Sequence, residues 1–441
     1  MTTSPPIGSR LVVGSYVDMA GVARAKAMPT SRLDTFVTAG AGVSPSWLVF
    51  CVDDHLAFTP SMSVVGDLRL RITTDGVRDI GNGMLWAPAD LTHQDGAPSP
   101  GCPRHALRRA VSRLGTSGVT ARVGHELEFT LFRAPAAAGN ADDGRWAAYG
   151  LESILRQEKF VADVLVAAER AGLPVDQVHA EYGPNQFELS LGPADPVTAA
   201  DRTILARTLV CAAARANGMI ASFSPQPTVD GAGNGAHLHL SLWRDGSPLF
   251  SGGPGPHGLT DAGAGAIAGL ISDLPDFPLV LTGSAVSHLR MRPDNWAGVH
   301  CCWGLENREA AVRLCADTAG NPAGAHIEVK PVDPAANPYL ASAAVLGALS
   351  AGITRGLPPP PEVAVNPVDL TPQDRATAGV TLLSTDPPVM LDRFAGSQLA
   401  KDVFPALLRE AVHRVRSHEW ERYRDLPAEQ STSLLRFAWT N

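Results

Sequence analysis

The stretch Gly124-His125-Glu126-Leu127-Glu128-Phe129-Thr130-Leu131 alternates polar and apolar side chains with a period of two. That is the spacing at which successive side chains of a β-strand point to opposite faces. Glu126 and Glu128 therefore share one face, while Leu127, Phe129 and Leu131 take the other. A second stretch, Gly235-Ala236-His237-Leu238-His239-Leu240-Ser241-Leu242, repeats the pattern with His237, His239 and Ser241 opposed to leucines. Each reads as a strand with an apolar back and a chemically active front.

Helical periods surround these strands. Leu107, Ala110, Val111 and Leu114 recur at i, i+3, i+4 and i+7 before Gly115, which predicts one apolar helix face and a stop. Ile154 to Ala168 before Gly172 predicts a second helix, and Ile204 to Val210 a third. Asp333-Pro334 ahead of an Ala-rich run to Gly352 predicts a helix capped by Asp333 with proline in its first turn. Before these, residues 11 to 100 carry short apolar runs punctuated by Gly, Pro and Asp, the mark of short strands and turns. The expectation is an α+β protein with a small strand-rich first domain (1–100), a linker over Asp95 to Pro103, and a larger second domain (101–441). Ala134 to Asp142 is expected to be a flexible loop, and Leu357 to Pro361 a rigid connection.

The chain has 441 residues, 45% of them hydrophobic and 18% charged, which excludes extended disorder. A net charge of -8 supplies no basic field, so no nucleic acid partner and no anionic membrane is expected. The six cysteines lack CxxC spacing, Met1 to Arg10 lacks a signal peptide's basic start, and no apolar run reaches about 18 residues. The expectation is a cytoplasmic enzyme acting on small molecules.

Glu126 and Glu128 repel each other at strand spacing unless a cation compensates. An isolated Glu-x-Glu is more often an acidic surface than a site, and the same holds for Glu181 and Glu188, seven apart across a Gly-Pro-Asn turn. His237 and His239 read as ligands or as a structural pair. Arg290, Arg308 and Arg313 offer planar recognition of phosphate or carboxylate, or structural ion pairs. Glu328 stands between His326 and Lys330 on an apolar strand. The ensemble decides: clustered carboxylates suit Mg²⁺ or Mn²⁺, and arginine with histidine suits polyphosphate. Neither GxxxxGK[ST] nor a dinucleotide GxGxxG is present, so ATP must be held another way.

The order ExE, ExxPxQxE, GxHxHxS, NRxAxxR and ExKxxDPxANPYL resembles the type I glutamine synthetase family, from the first domain to the C-terminal helices. The resemblance implies an N-terminal β-grasp domain and a catalytic domain on a curved antiparallel sheet. It further implies a homo-oligomer, a dodecamer of two hexameric rings with sites between neighbours. By the same resemblance Glu128, Glu181 and Glu188 are expected to hold one metal, and Glu126, His237 and Glu328 a second that bridges the ATP phosphates. His239 and Ser241 fall at nucleotide positions, Arg308 and Arg313 at phosphate-handling positions, and Arg290 near the substrate carboxylate. The implied reaction is γ-phosphorylation of glutamate by ATP, then attack of an amine on the acyl phosphate.

Departures from the family pattern concern the substrates. Where glutamine-forming members carry a flap glutamate, this chain reads Asp294-Asn295-Trp296-Ala297-Gly298, so an indole replaces the ammonium-binding acid. Trp296 offers apolar area and cation-π attraction to an alkylammonium. Asp53 or Asp54 would be the remaining acid, supplied from a neighbouring subunit. The family's Asn-Gly that holds the glutamate amino acid head is Ala232-Gly233, and its flanking arginines are His326 and Lys330. The pattern is similar to actinobacterial γ-glutamylpolyamine and γ-glutamylethanolamide synthetases and implies glutamate joined to an organic amine. Glutamine synthesis from ammonia, a different carboxylic acid, and a non-catalytic regulatory homologue are the alternatives.

Overall fold

The computed structural model describes residues 8–134 and 146–440; beyond Ala134, the predicted loop Ala134 to Asp142 lies outside them. The alternating runs at the start of the chain become β1 (Leu11–Val17), β2 (Ala23–Pro29), β3 (Ala41–Val43), β4 (Leu68–Ile72), β5 (Arg78–Gly81) and β6 (Met84–Thr92). They form a sheet of order β2-β1-β6-β4-β3, with β5 paired to β6. β1 and β6 run parallel, which requires a crossover. Helix Leu33–Thr38 lies on that path with Leu33 and Phe36 buried. The expected linker is no free connection. Ser99 N–H donates to the Leu91 carbonyl at 2.9 Å, and Ser99 and Cys102 are buried, so Asp95 to Pro103 is a turn pinned on β6.

The second sheet is assembled from β7 (Val119–Arg133), β8 (Val175–Ala180), β9 (Gln186–Leu191), β10 (Met219–Ser222), β11 (Leu238–Arg244), β12 (Ser247–Pro248), β13 (His300–Leu305), β14 (Ala310–Cys315), β15 (His326–Val329) and β16 (Thr381–Leu382). Its order is β16-β13-β14-β15-β11-β7-β9-β8. All pairings are antiparallel except β13 with β14. β7 is the spine: Val119 to His125 pairs with β11, and Glu126 to Thr130 pairs with β9. Glu126 and Glu128 thus stand where the spine changes partner.

The apolar back of β7 carries the core. Phe129 meets Phe160, Phe187 and Phe223 at ring separations of 6.0, 6.2 and 5.5 Å, within the range of favourable aromatic pairs. Helices Pro103–Gly115, Pro196–Ala216 and Pro338–Arg355 accompany this sheet. Helix Pro338–Arg355 crosses helix Asp261–Asp273 at glycines: a Cβ on Gly269 would stand 2.3 Å from the Gly352 Cα. Only the bare backbone permits that approach.

Two helix expectations need correction. The Ala-rich helix begins at Pro338, and its cap is Asn337, whose side chain accepts from Tyr339 N and Leu340 N. Asp333 instead stays in the preceding turn and accepts from Ala335 N. The helix expected from Ile154 to Ala168 is two, Leu151–Leu155 and Glu158–Ala171. Among the described residues no helix is long and apolar enough to cross a membrane.

Candidate active site

The polar front of the second sheet opens on a cleft of about 1010 Å³ lined by Glu126, Glu128, Glu181, Glu188, His237, Glu328, Arg290, Arg308, Arg313, Gly233, Trp296 and Lys330. Register explains the gathering. Glu128 lies opposite Glu188 across β7 and β9, and Glu188 opposite His179 across β9 and β8. Glu328 of β15 faces Arg313 of β14 on one side and His239 of β11 on the other.

Two donor clusters result. In the first, His237 Nδ1 is 3.2 Å from Glu126 Oε2 and 3.3 Å from Glu328 Oε1. His237 Nε2 is 3.1 Å from Arg290, and a guanidinium only donates, so this nitrogen accepts and Nδ1 carries the ring proton. A proton thus stands where three donors converge. Burial alone would raise the Glu126 carboxyl, but His237 and His239 hold it well below the ordinary range. Glu328 is likewise held low against its burial by Lys330, His237 and His239; Lys330 Nζ donates to it at 2.8 Å and Arg313 at 3.1 Å.

In the second cluster His179 Nε2 is 2.9 Å from Glu181 Oε1 and 3.8 Å from Glu188 Oε1. Burial pushes the Glu188 carboxyl well up, and Glu126, Glu128 and Glu181 add to the shift. Burial also acts to raise Glu181, but His179 and the Tyr182 N–H outweigh it and hold the group low. The hydrogen bond to Glu181 raises His179 in turn. Carboxylates that force one of their number to keep its proton describe a set short of positive charge, and oxygen with imidazole donors fits a hard divalent cation. Glu128 differs from expectation in detail: its Oε2 is already bonded by Gln186 at 3.0 Å and Gly235 N at 2.9 Å. A Cβ on Gly235 would stand 2.6 Å from His237 Nε2 and 2.8 Å from Arg290, so any larger residue there would displace these two site side chains.

Arg290 is buried, and its guanidinium has no carboxylate within ion-pair distance among the described residues. Burial lowers its pKa, while Glu128 and Asp333 are the charges that oppose this. Arg308 is exposed in the turn before β14 and lines the cleft. Arg313 is shared between Glu306 and Glu328, and Lys330 is held by Glu328, so neither is a free cation in this arrangement.

The mouth of the cleft is aromatic. Trp296 is 47% exposed and meets Tyr182 edge-to-face at 6.0 Å, while Tyr149 stacks on His179 at 5.9 Å. Asp294 and Trp296 both have positive φ, 61° and 50°, a conformation that costs a side-chain-bearing residue on the order of 1 to 3 kcal/mol unless its surroundings hold it. They are held here: Trp296 N–H donates to Glu309 Oε1 at 2.8 Å, and Asn366 donates to Asp294 at 3.1 Å.

Four residues of the expected set lie outside the lining of the chain's own cleft, two of them the pair expected to serve a neighbouring subunit. Asp53 pairs with Arg422 and Asp54 with Arg24, both away from the lining, because the turn that carries them lies beside the C-terminal helix Ala406–Tyr423. His239 stands behind Glu126, 3.2 Å from its Oε1, and Ser241 accepts from the Trp243 indole at 3.0 Å. Conversely, the sequence reading missed His179, Tyr149, Tyr182 and Glu309. His179 alone carried a local signal, its period-two spacing from Glu181.

Residues 100–434 match the family described as glutamine synthetase, catalytic domain. A gamma-glutamylpolyamine synthetase, GlnA3 of Streptomyces coelicolor, is 38% identical over 421 residues, covering 92% of this chain and 89% of the relative. A glutamine synthetase of Pyrococcus horikoshii is 29% identical over 421 residues, covering 93% and 89%. A solved structure described as a novel glutamine synthase homolog superimposes with a TM-score of 0.87 over 100% of both chains, at 29% identity.

Proposed function

The chain belongs to the glutamine synthetase family and is an ATP-dependent ligase, and from that premise we propose that it joins the γ-carboxyl of glutamate to an organic amine through an acyl phosphate. The observation that carries this reading is the pairing of a carboxylate and imidazole set lining the cleft with an aromatic mouth beside it, Trp296 against Tyr182. A polyamine is the preferred amine, supported by the relative from Streptomyces coelicolor and by Asp230 and Asp294 in the lining.

In this proposal Mg²⁺ or Mn²⁺ would be held by Glu126, His237 and Glu328, and by Glu181 and Glu188 with Glu128 or His179. Bound there, the cations supply charge that screens a carboxylate nucleophile from a triphosphate. Arg308 and Arg313 take the transferring phosphoryl group, where electrostatic stabilisation carries most of the catalysis. Arg290, buried and without a carboxylate partner among the described residues, receives the substrate carboxylate, with Gly233 and Lys330 alongside. The amine must lose a proton before it attacks, a task for a carboxylate at the acceptor site. Asp53 or Asp54 of a neighbouring copy would supply it in the ring assembly.

A matrix of acids against amines, read as phosphate released from ATP, tests the reading. Glutamate with a polyamine is expected to exceed glutamate with ammonium, and Arg308→Ala to lose turnover with unchanged thermal melting. Faster release with ammonium would restore glutamine synthesis, the second reading, which the relative from Pyrococcus horikoshii favours.

A further inference from the structure

A second cavity, of about 80 Å³, lies where β5 and β6 of the first sheet meet helices Pro103–Gly115 and Pro196–Ala216, and it shares no lining residue with the active-site cleft. Three guanidinium groups line it: Arg78 at the start of β5, Arg104 in the first turn of one helix and Arg202 in the second turn of the other. Thr198 and Arg202 stand four apart on that helix and so share a face. Thr73 joins them from the turn ahead of β5.

The charges around this cavity do not balance. Arg104 grips Asp201 through two bonds of 2.8 Å and reaches Asp90 at 3.0 Å. Asp201 also accepts from the Tyr339 hydroxyl at 2.7 Å, and Arg108 holds Asp90 with two bonds of its own. Two arginines and two aspartates thus cancel, and they make the ion pairs of this region. Arg78 and Arg202 are left over. Among the described residues each donates only to backbone carbonyls, Arg78 Nη1 to Asp75 and Val77 and Arg202 Nη1 to Gly192. Their Nε and Nη2 donors, and the hydroxyls of Thr73 and Thr198, have no protein acceptor among those residues. Burial pushes the Arg202 pKa down, and Arg78 and Arg122 add to that push against Asp195 and Asp176, as like charges do when no counter-charge stands between them. Asp75, the other carboxylate of the lining, is exposed, and Asp195 caps the helix by accepting from Thr198 N at 3.1 Å.

We propose that this cavity binds a small tetrahedral oxyanion of the inorganic phosphate class, clamped between Arg78 and Arg202, with the hydroxyls of Thr73 and Thr198 donating to its remaining oxygens. A guanidinium fork meets such an anion with two parallel N–H bonds. A volume of about 80 Å³ is far below that of pockets which enclose larger organic ligands, so a nucleotide is excluded. Arg78 belongs to the first sheet and Arg202 to a helix that accompanies the second. The anion therefore fastens one to the other, outside the cleft and whichever amine the enzyme uses.

Equilibrium dialysis of the full chain against radiolabelled phosphate, with divalent metal removed by chelation, tests the site. The expected result is saturable binding that sulfate displaces and acetate does not, accompanied by a rise in Tm. Arg78→Gln and Arg202→Gln should each weaken it by about tenfold or more, because each removes hydrogen bonds to a charged group. Arg202→Lys keeps the charge without the fork and should weaken binding several-fold, which keeps the test decisive where a glutamine variant does not fold. Arg308→Ala, in the cleft, should bind phosphate as the parent does. Absence of saturable binding, an affinity unmoved in both Arg202 variants, displacement by acetate, or loss of all binding in Arg308→Ala, which would put the anion in the cleft, would each overturn the proposal.

Discussion

The carboxylate floor of the cleft and its aromatic mouth are built on different principles. Glu126, Glu128, Glu188 and Glu328 stand on strands whose neighbours fix their register, and His237 directly precedes β11. At the mouth, Tyr149, Tyr182, Asp294 and Trp296 stand outside the strands and helices, and Tyr149, Asp294 and Trp296 have positive φ. A strand residue cannot move without shifting its whole row of partners. A loop residue can be exchanged while the frame stays intact. The difference teaches how one frame can keep its phosphate chemistry and change its acceptor.

The sharpest way to break this contrast is Glu328→Gln, which removes the charge gripped by Lys330, Arg313 and His237. Phosphate release should fall below detection with every amine, and retained turnover would show that the sheet-borne set is not the catalytic one. Glu328→Ala should also lower stability by about 3 to 5 kcal/mol, because buried Lys330 loses its partner; urea unfolding measures this.

Among the loop-borne residues effects should be smaller and selective. Trp296→Ala removes a cation-π contact of about 0.5 to 2 kcal/mol, so KM for the amine should rise roughly 2- to 30-fold while KM for glutamate holds. Equal changes in both would make Trp296 mere packing. Glu309→Ala releases the Trp296 N–H from its only carboxylate and should raise the amine KM by several-fold, whereas Glu309→Gln, which can still accept that bond, should stay near the parent value.

The smallest effect sharpens the comparison through pH. Glu188, His179 and His239 all hold a proton more tightly folded than unfolded: burial and neighbouring carboxylates act on Glu188, the Glu181 bond on His179, and Glu126 overcomes burial at His239. The folded chain therefore binds more protons, and their contribution, full at low pH, is lost as pH rises above the ordinary carboxylate and then the imidazole range. Glu126, Glu181 and Glu328 are depressed and lose their contribution only on the acid side. Without metal, Tm should thus fall between pH 6 and pH 8, and the gain in Tm on adding Mg²⁺ should be larger at pH 8. An equal gain at both values would remove Glu188 and its neighbours from the metal set.

The same contrast explains what could be read from the amino acids. Alternation in β7 and β11 made the shared face of Glu126 and Glu128, and of His237 and His239, legible, because period two is local. It carries no strand direction, so the parallel pairing of β13 with β14 was invisible. The helix cap was misplaced because Asn337-Pro338 repeats the signature of Asp333-Pro334 four residues later, and local chemistry does not rank the two. Tyr182, Tyr149 and Glu309 acquire meaning only through partners distant in the chain, such as Trp296. Ser241 was assigned by resemblance alone, and its hydroxyl is bound to the Trp243 indole beside it.

The central claim is that the acceptor is an organic amine and not ammonia. Supplying glutamate, ATP and Mg²⁺ with equal concentrations of ¹⁵N-ammonium and a polyamine, and weighing the products by mass spectrometry, tests it most directly. The account predicts γ-glutamylpolyamine with little labelled glutamine; labelled glutamine as the main product would contradict it.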